Sequence, residues 1–296
     1  MLYKQENITL VDEVRKTGRG NRVWIEILKF LAVLTPINLI MVFAGEAIKA
    51  ALFQKSVINE EISMIIQLYE CALGIGLVVL YCCCIEKRTF MSMGFMKRHV
   101  CKQYIKGACV GAMLISALVW MGVLFNTFIF NGFNVNLDKK SIFLFLGGFL
   151  LQGFYEELVF RGFFMISIIR KNTIFVAVMV NSILFGLTHG FNNGFQVLAL
   201  LNLILFGIFE SIYLLKTGNI WGISAIHSMW NFIQGNIYGF NVSGMAQSQS
   251  IFIFKISNCA IFSGGTFGLE GSLLTTIVLL SAINMVILYN TALQLQ

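Results

Sequence analysis

An all-α, polytopic integral membrane protein of about eight transmembrane helices is the fold this sequence predicts, on three observations. Of its 296 residues, 57% are hydrophobic and 12% are charged, where a soluble domain carries about 25% charged residues. Several apolar runs have about 20 residues, and a helix rising about 1.5 Å per residue then crosses about 30 Å of hydrocarbon. The basic residues fall mainly in alternate connections, the pattern that orients a membrane protein. Topology thus accounts for the formal net charge of +7, and no nucleic-acid partner is expected. No soluble domain fits between the runs, and no internal repeat is visible. The chain reads as a cytoplasmic tail over residues 1–22 and one membrane domain over 23–296.

The tail carries Lys4, Arg15, Lys16, Arg19 and Arg22. It lacks a short apolar region with a small-residue cleavage site, so no cleaved signal peptide is expected. A first span is expected over 23–43, bent at Pro36, the only proline, and a second over 62–84. In the stretch 86–106, Lys87, Arg88, Lys97, Arg98 and Lys102 alternate with Phe90, Met91, Met93, Phe95 and Met96. Such a mixture either lies on an anionic cytoplasmic leaflet or forms a solvated loop. The third span is expected over 107–130, before a polar loop over 131–140. The fourth is the run 141–169, ending at Arg170 and Lys171. The fifth, sixth and seventh follow over 173–188, 195–215 and 220–238. A loop rich in Gly, Ser, Asn and Gln covers 239–271, and the last span 272–293.

A cytoplasmic N-terminus and eight crossings put both termini in the cytoplasm. The same choice gathers the basic stretch, Arg170, Lys171 and Lys216 on that side. It leaves Lys49, Lys55, Lys139, Lys140 and Lys255 on the other. The seven cysteines include the consecutive Cys82, Cys83 and Cys84 and form no CxxC pair. They read as free thiols used as small apolar packing groups.

The fourth run contains Tyr155-Glu156-Glu157-Leu158-Val159-Phe160-Arg161. A charge at bilayer depth costs at least about 2.5–3.5 kcal/mol, so three persist there only if paired or used. Glu157 and Arg161 are four apart in the favourable order, acid before base, and share a helix face. Glu156 is rotated about 100° away and has no partner in its own helix. Two of the three histidines lie in or at the end of spans. His189 closes Phe185-Gly186-Leu187-Thr188-His189, and His227 precedes Asn231 by four residues on one face. His99, in the basic stretch, reads as a surface residue. Polar groups at depth face the bundle interior, which makes Glu156, His189, His227 and Asn231 candidates for one site drawn from three helices.

Such a set supports attack by water on a carbonyl. The carboxylate serves as general base and then general acid, and one histidine orients the water. The other histidine and the asparagine amide donate to the oxyanion. No GxSxG elbow is present, and no Ser/His/Asp or Cys/His arrangement is as well placed. The expectation is therefore a reaction without a cofactor. Zinc held by Glu156, His189 and His227 is the alternative, since two histidines and a carboxylate make a catalytic zinc set. There is no HExxH pair, and Asn231 is a better amide donor than zinc ligand. Structural readings stand beside these. Asn181 and Asn202 suit interhelical hydrogen bonds, and Glu210 is either paired in the bundle or lines a cavity. A proton relay through Glu156, His189 and Glu210 would make a transporter, but no broken-helix pair or inverted repeat accompanies it.

Glu-Glu-x-x-x-Arg, Phe-x-x-x-His and His-x-x-x-Asn, in that order in three polar-marked helices, resemble the CAAX-protease and bacteriocin-processing (Abi) family. Its eukaryotic relative is the Ras-converting CAAX endopeptidase. The matching motifs lie in 156–231. The resemblance implies a glutamic-type intramembrane endopeptidase acting on a membrane-associated peptide or protein in the lipid bilayer. Carried over residue by residue, it makes Glu156 the base that activates water, assisted by His189. It makes His227 and Asn231 the oxyanion site, and Glu157 with Arg161 the structural support. It also implies a cavity reached from the cytoplasm or laterally from lipid. A usage favouring Ile, Asn, Phe and Lys over Pro and Arg points to the cell membrane of a low-GC bacterium. A prenylated CAAX tail, a peptide-pheromone precursor and a bacteriocin leader all remain open as substrates. A non-catalytic bacteriocin-immunity or regulatory protein on the same scaffold is the alternative from another class.

Overall fold

A computed structural model describes residues 10–16, 20–53, 59–256 and 260–294, with side chains to residue 288. It is a helical bundle. In chain order the helices are α1 (Leu10–Lys16), α2 (Val23–Phe53), α3 (Glu60–Leu80), α4 (Val100–Leu124), α5 (Lys139–Glu157), α6 (Ile166–Ile169), α7 (Ile174–Thr188), α8 (Val197–Thr217), α9 (Ile220–Phe232), α10 (Ala260–Ser263) and α11 (Leu273–Gln294). Side-chain caps start several of them. Asn59 accepts from the Ile62 amide at 2.8 Å, Asp138 from Lys140 at 3.0 Å and Asn219 from Trp221 at 3.0 Å. Gly218, at φ +63°, ends α8 in the left-handed conformation.

Three helices run on into π-helical turns: Tyr81–Ile85 after α3, Leu158–Met165 after α5 and Ile233–Ile237 after α9. Five helical segments are long and apolar enough to cross a membrane: Val23–Phe53, Glu60–Ile85, Val100–Leu124, Lys139–Ile169 and Val197–Thr217. The protein is thus an integral membrane protein. Where eight spans were expected, α7 and the described part of α11 are apolar but shorter, and α9 has 13 residues.

The two ends of the bundle differ. One end, here the basic end, joins the start of α2, the stretch 86–99, the turn after α6 and the α8–α9 connection. Asn172 Nδ2 donates to the Asn21 carbonyl at 3.2 Å, and the Ile220 amide to Gly94 O at 2.9 Å. Glu86 takes Arg88 at 2.6 Å, Lys29 at 2.7 Å and Arg170 at 3.4 Å. At the far end an antiparallel ribbon, β1 (Phe128–Phe133) with β2 (Phe252–Ile256), ties the α4–α5 connection to the loop before α11. The expected boundary between the third span and the polar loop falls inside β1, at residues 130 and 131. Aromatic alternation instead builds a strand pair there, with Phe130 against Phe254 and Phe133 against Phe252.

Two further expectations change. The tail over 1–22 contains α1, whose Leu10 and Val14 are buried against α6 and the turn Met91–Met93. The stretch 86–106 is neither a leaflet-lying segment nor a solvated loop throughout, because Arg88, Ser92 and Met93 are buried. Lys97, Arg98 and His99 remain exposed. Lys4, Arg19, Lys55 and Cys259 lie outside the described residues, and the other six cysteines are free thiols.

Candidate active site

Helix α9 sits at the centre, against α4 and α5. Glycine makes both contacts possible. A Cβ on Gly111 would stand 2.4 Å from Ile226 O, and one on Gly153 would stand 2.7 Å from the Ser228 amide. Small residues let membrane helices approach this closely. The Gly153 contact sets the last turn of α5, with Glu156 and Glu157, directly against His227.

Glu157 is fully buried and holds two partners. Arg161 Nη1 donates to its Oε1 at 3.0 Å, the bond the four-residue spacing predicts. His227 Nδ1 lies 2.8 Å from the same oxygen. With Nδ1–H donated to the carboxylate, His227 presents Nε2 toward Glu156, whose Oε2 is 3.8 Å away. Arg161 lies with its guanidinium carbon 4.5 Å over the Phe185 ring, and Phe206 stands edge-on to His227 at 5.1 Å. Aromatic rings thus fix the histidine that the ion pair orients.

Glu156 is partly buried, with its side chain 19% exposed. Gln152, one turn earlier in α5, donates from Nε2 to Glu156 Oε1 and accepts at Oε1 from Asn231 Nδ2 at 2.9 Å. Glu156 Oε2 has no hydrogen-bond partner among the described residues. His189, just past α7, bonds through Nδ1 to Phe185 O at 2.9 Å, which leaves Nε2 for other use.

Glu156, His189, His227 and Asn231 all line one cavity of about 780 Å³. Glu157 and Arg161 stand behind its wall. The sequence reading did not single out Gln152, although its position four before Glu156 places it on the same helix face. Glu46, Glu70, Cys71 and Glu270 also line the cavity, and no local pattern marks them. Glu210 is fully buried and outside the lining. Asn181 donates to Ser211 Oγ at 3.3 Å between α7 and α8. Asn202 donates to Glu270 O and Ser272 O, each at 2.7 Å. His99 is exposed, far along the chain from any of these groups.

A metal would find suitable outer bonds here, since each cavity histidine has its Nδ1 engaged by an oxygen and Nε2 free. Among the described residues, however, no three His, Cys, Asp or Glu side chains converge closely enough to hold an ion.

The bundle and its cavity define an integral membrane protein with a buried Glu/His/Asn constellation. Residues 138–233 match the family described as type II CAAX prenyl endopeptidase Rce1-like. The match covers about a third of the chain, from the cap of α5 to the end of α9, and includes every motif residue. It is the family that the three motifs resemble, and its description is that of a peptidase. No curated protein matches the chain.

Proposed function

We propose that this protein is a glutamic-type intramembrane endopeptidase that hydrolyses a peptide bond of a membrane-associated peptide or protein. The observation that carries the reading is the pairing of Glu156 with a histidine oriented from behind by Glu157, in one cavity with His189 and Asn231. In this reading Glu156 Oε2 takes a proton from a water held also by His189 Nε2. The water oxygen bonds to the carbonyl carbon, and the resulting oxyanion accepts from Asn231 Nδ2 and from His227 Nε2 in its doubly protonated form. Glu156 then passes its proton to the amine nitrogen as the C–N bond breaks. Low dielectric around the site strengthens each of these interactions.

Glu156→Gln keeps the shape and removes the base. Cleavage of quenched-fluorescent CAAX-like and leader-like peptides by purified protein should fall roughly 10²–10⁴-fold, with the thermal unfolding midpoint unchanged. Near-normal turnover would end the assignment. The same assay on exhaustively chelated protein addresses the zinc alternative: activity lost on chelation and restored by zinc would replace the glutamate mechanism. A folded wild type that cleaves none of the peptides would favour an immunity or regulatory role.

A further inference from the structure

We propose that the cavity is entered from the membrane face opposite the basic end, so that the substrate is a peptide segment presented on the extracytoplasmic side. The access direction stands on the cavity's geometry and on the charge of the two ends. Only the word substrate rests on the protease reading above.

Most of the cavity walls come from the far halves of the helices. They include Glu46 and Lys49 near the end of α2, Met64 and Glu70 near the start of α3, Asn193 after α7, and Ser243 in the loop before α11. The same loop is fastened to far-end elements. Asn192 Nδ2 donates to Ser243 O at 2.8 Å, and Gln249 Nε2 to Glu61 Oε2 at 3.2 Å. Asn193 and Glu46 line the cavity and are also exposed, which puts its mouth at this end. No residue of 86–106, 161–184 or 207–226 takes part in the lining.

Toward the basic end the cavity stops at Val159 and Phe160. Behind them Phe30 packs on Phe160 at 5.5 Å and on Phe164 at 4.3 Å. Behind those rings Arg88 donates to the Gly162 and Phe163 carbonyls, each at 3.2 Å. All of these side chains are buried. Among the described residues, this floor closes the site against the basic end.

Charge then decides which face is which. The basic end carries Arg15, Lys16, Arg22, Lys29, the six basic residues of 86–106, Arg170, Lys171 and Lys216, whereas Lys49, Lys139, Lys140 and Lys255 are at the far end. Cationic residues of short connections stay in the cytoplasm. The closed end therefore faces the cytoplasm and the mouth faces away from it. This departs from the cytoplasmic entry that the family resemblance allows. A segment that has crossed, or still spans, the membrane can reach Glu156 by this route.

Full-length protein with its native cysteines replaced, carrying either Asn193→Cys at the mouth or Lys97→Cys in the basic stretch, tests this in spheroplasts with a membrane-impermeant maleimide. Ser243→Cys and retained native Cys101 provide a second pair if either first variant folds poorly. The mouth cysteine should label in intact spheroplasts, and the basic-end cysteine only after permeabilisation. The reverse pattern, or equal labelling of both before permeabilisation, would overturn the proposal. Adding Glu156→Gln should leave the labelling unchanged. Far-face labelling without cleavage of any peptide would thus sink the protease reading and leave the access direction standing.

Discussion

Gln152 holds two candidate catalytic groups at once, Glu156 through its amide nitrogen and Asn231 through its oxygen. Gln152→Leu keeps comparable volume and removes both bonds. Turnover should fall roughly 10²-fold, the cost of misplacing a reacting group by about 1 Å, while KM stays near the wild-type value. A matching rise in KM, or no change in either constant, would show that Gln152 does not position the site. At this scale the sequence shows the Glu157–Arg161 bond, because i,i+4 spacing fixes it locally. It does not show that His227, 70 positions away, takes the same carboxylate oxygen. Glu157 therefore orients a cavity histidine as well as anchoring the arginine.

The π-helical turn Leu158–Met165 directly follows the Glu-Glu pair. A π-turn disturbs the regular i→i−4 ladder, and such turns recur beside functional sites. Here Arg88 reaches across from another segment to the Gly162 and Phe163 carbonyls and to Ser167 Oγ. Burial alone would push the neighbouring Glu86 carboxyl up, but Arg88, Lys29 and Arg170 outweigh it and hold it below the ordinary carboxylate range. Arg88→Ala should cost about 3–5 kcal/mol, as for one partner removed from a buried pair. Arg88→Lys should recover only part, since a single ammonium cannot meet Glu86, the two carbonyls and Ser167 Oγ at once as Nε, Nη1 and Nη2 do. Thermal unfolding in detergent measures both, with Lys97→Ala as an exposed control from the same stretch. An unchanged midpoint for Arg88→Ala would mean that the turn does not depend on it. In the sequence Arg88 is one cation among several. Only the carbonyls beside it in space set it apart.

Across the molecule, Glu270 fastens the loop before α11 to the π-helical turn after α9 at the far end. Its side chain accepts from Gln234 Nε2 at 2.6 Å and from Ser243 N and Oγ at 3.3 Å. Burial pushes its carboxyl up to about 7 from an ordinary 4.5, against the lowering effect of these bonds. The unfolded chain gives up this proton at lower pH than the fold does. Stability linked to Glu270 is therefore full below about pH 4.5 and is lost as pH rises through about 7. The whole loss is about 3 kcal/mol. Unfolding midpoints of wild type and Glu270→Gln, compared from pH 5 to pH 8, should show a fall in wild type that the variant lacks. Parallel pH curves would contradict this linkage.

The sequence by itself determined the bundle class, the basic and far ends, the Glu157–Arg161 bond and the set Glu156, His189, His227 and Asn231. Each of these follows from hydropathy, charge or helical spacing, which are local properties of the chain. Tertiary structure alone decided that these groups share one cavity, that Gln152 and Glu157 orient them, that β1 pairs with β2, and that the cavity floor lies toward the basic end. Those features join residues about 70 to more than 100 positions apart. They depend on close approach at Gly111 and Gly153 and on ring packing around Phe30, which composition and periodicity do not record.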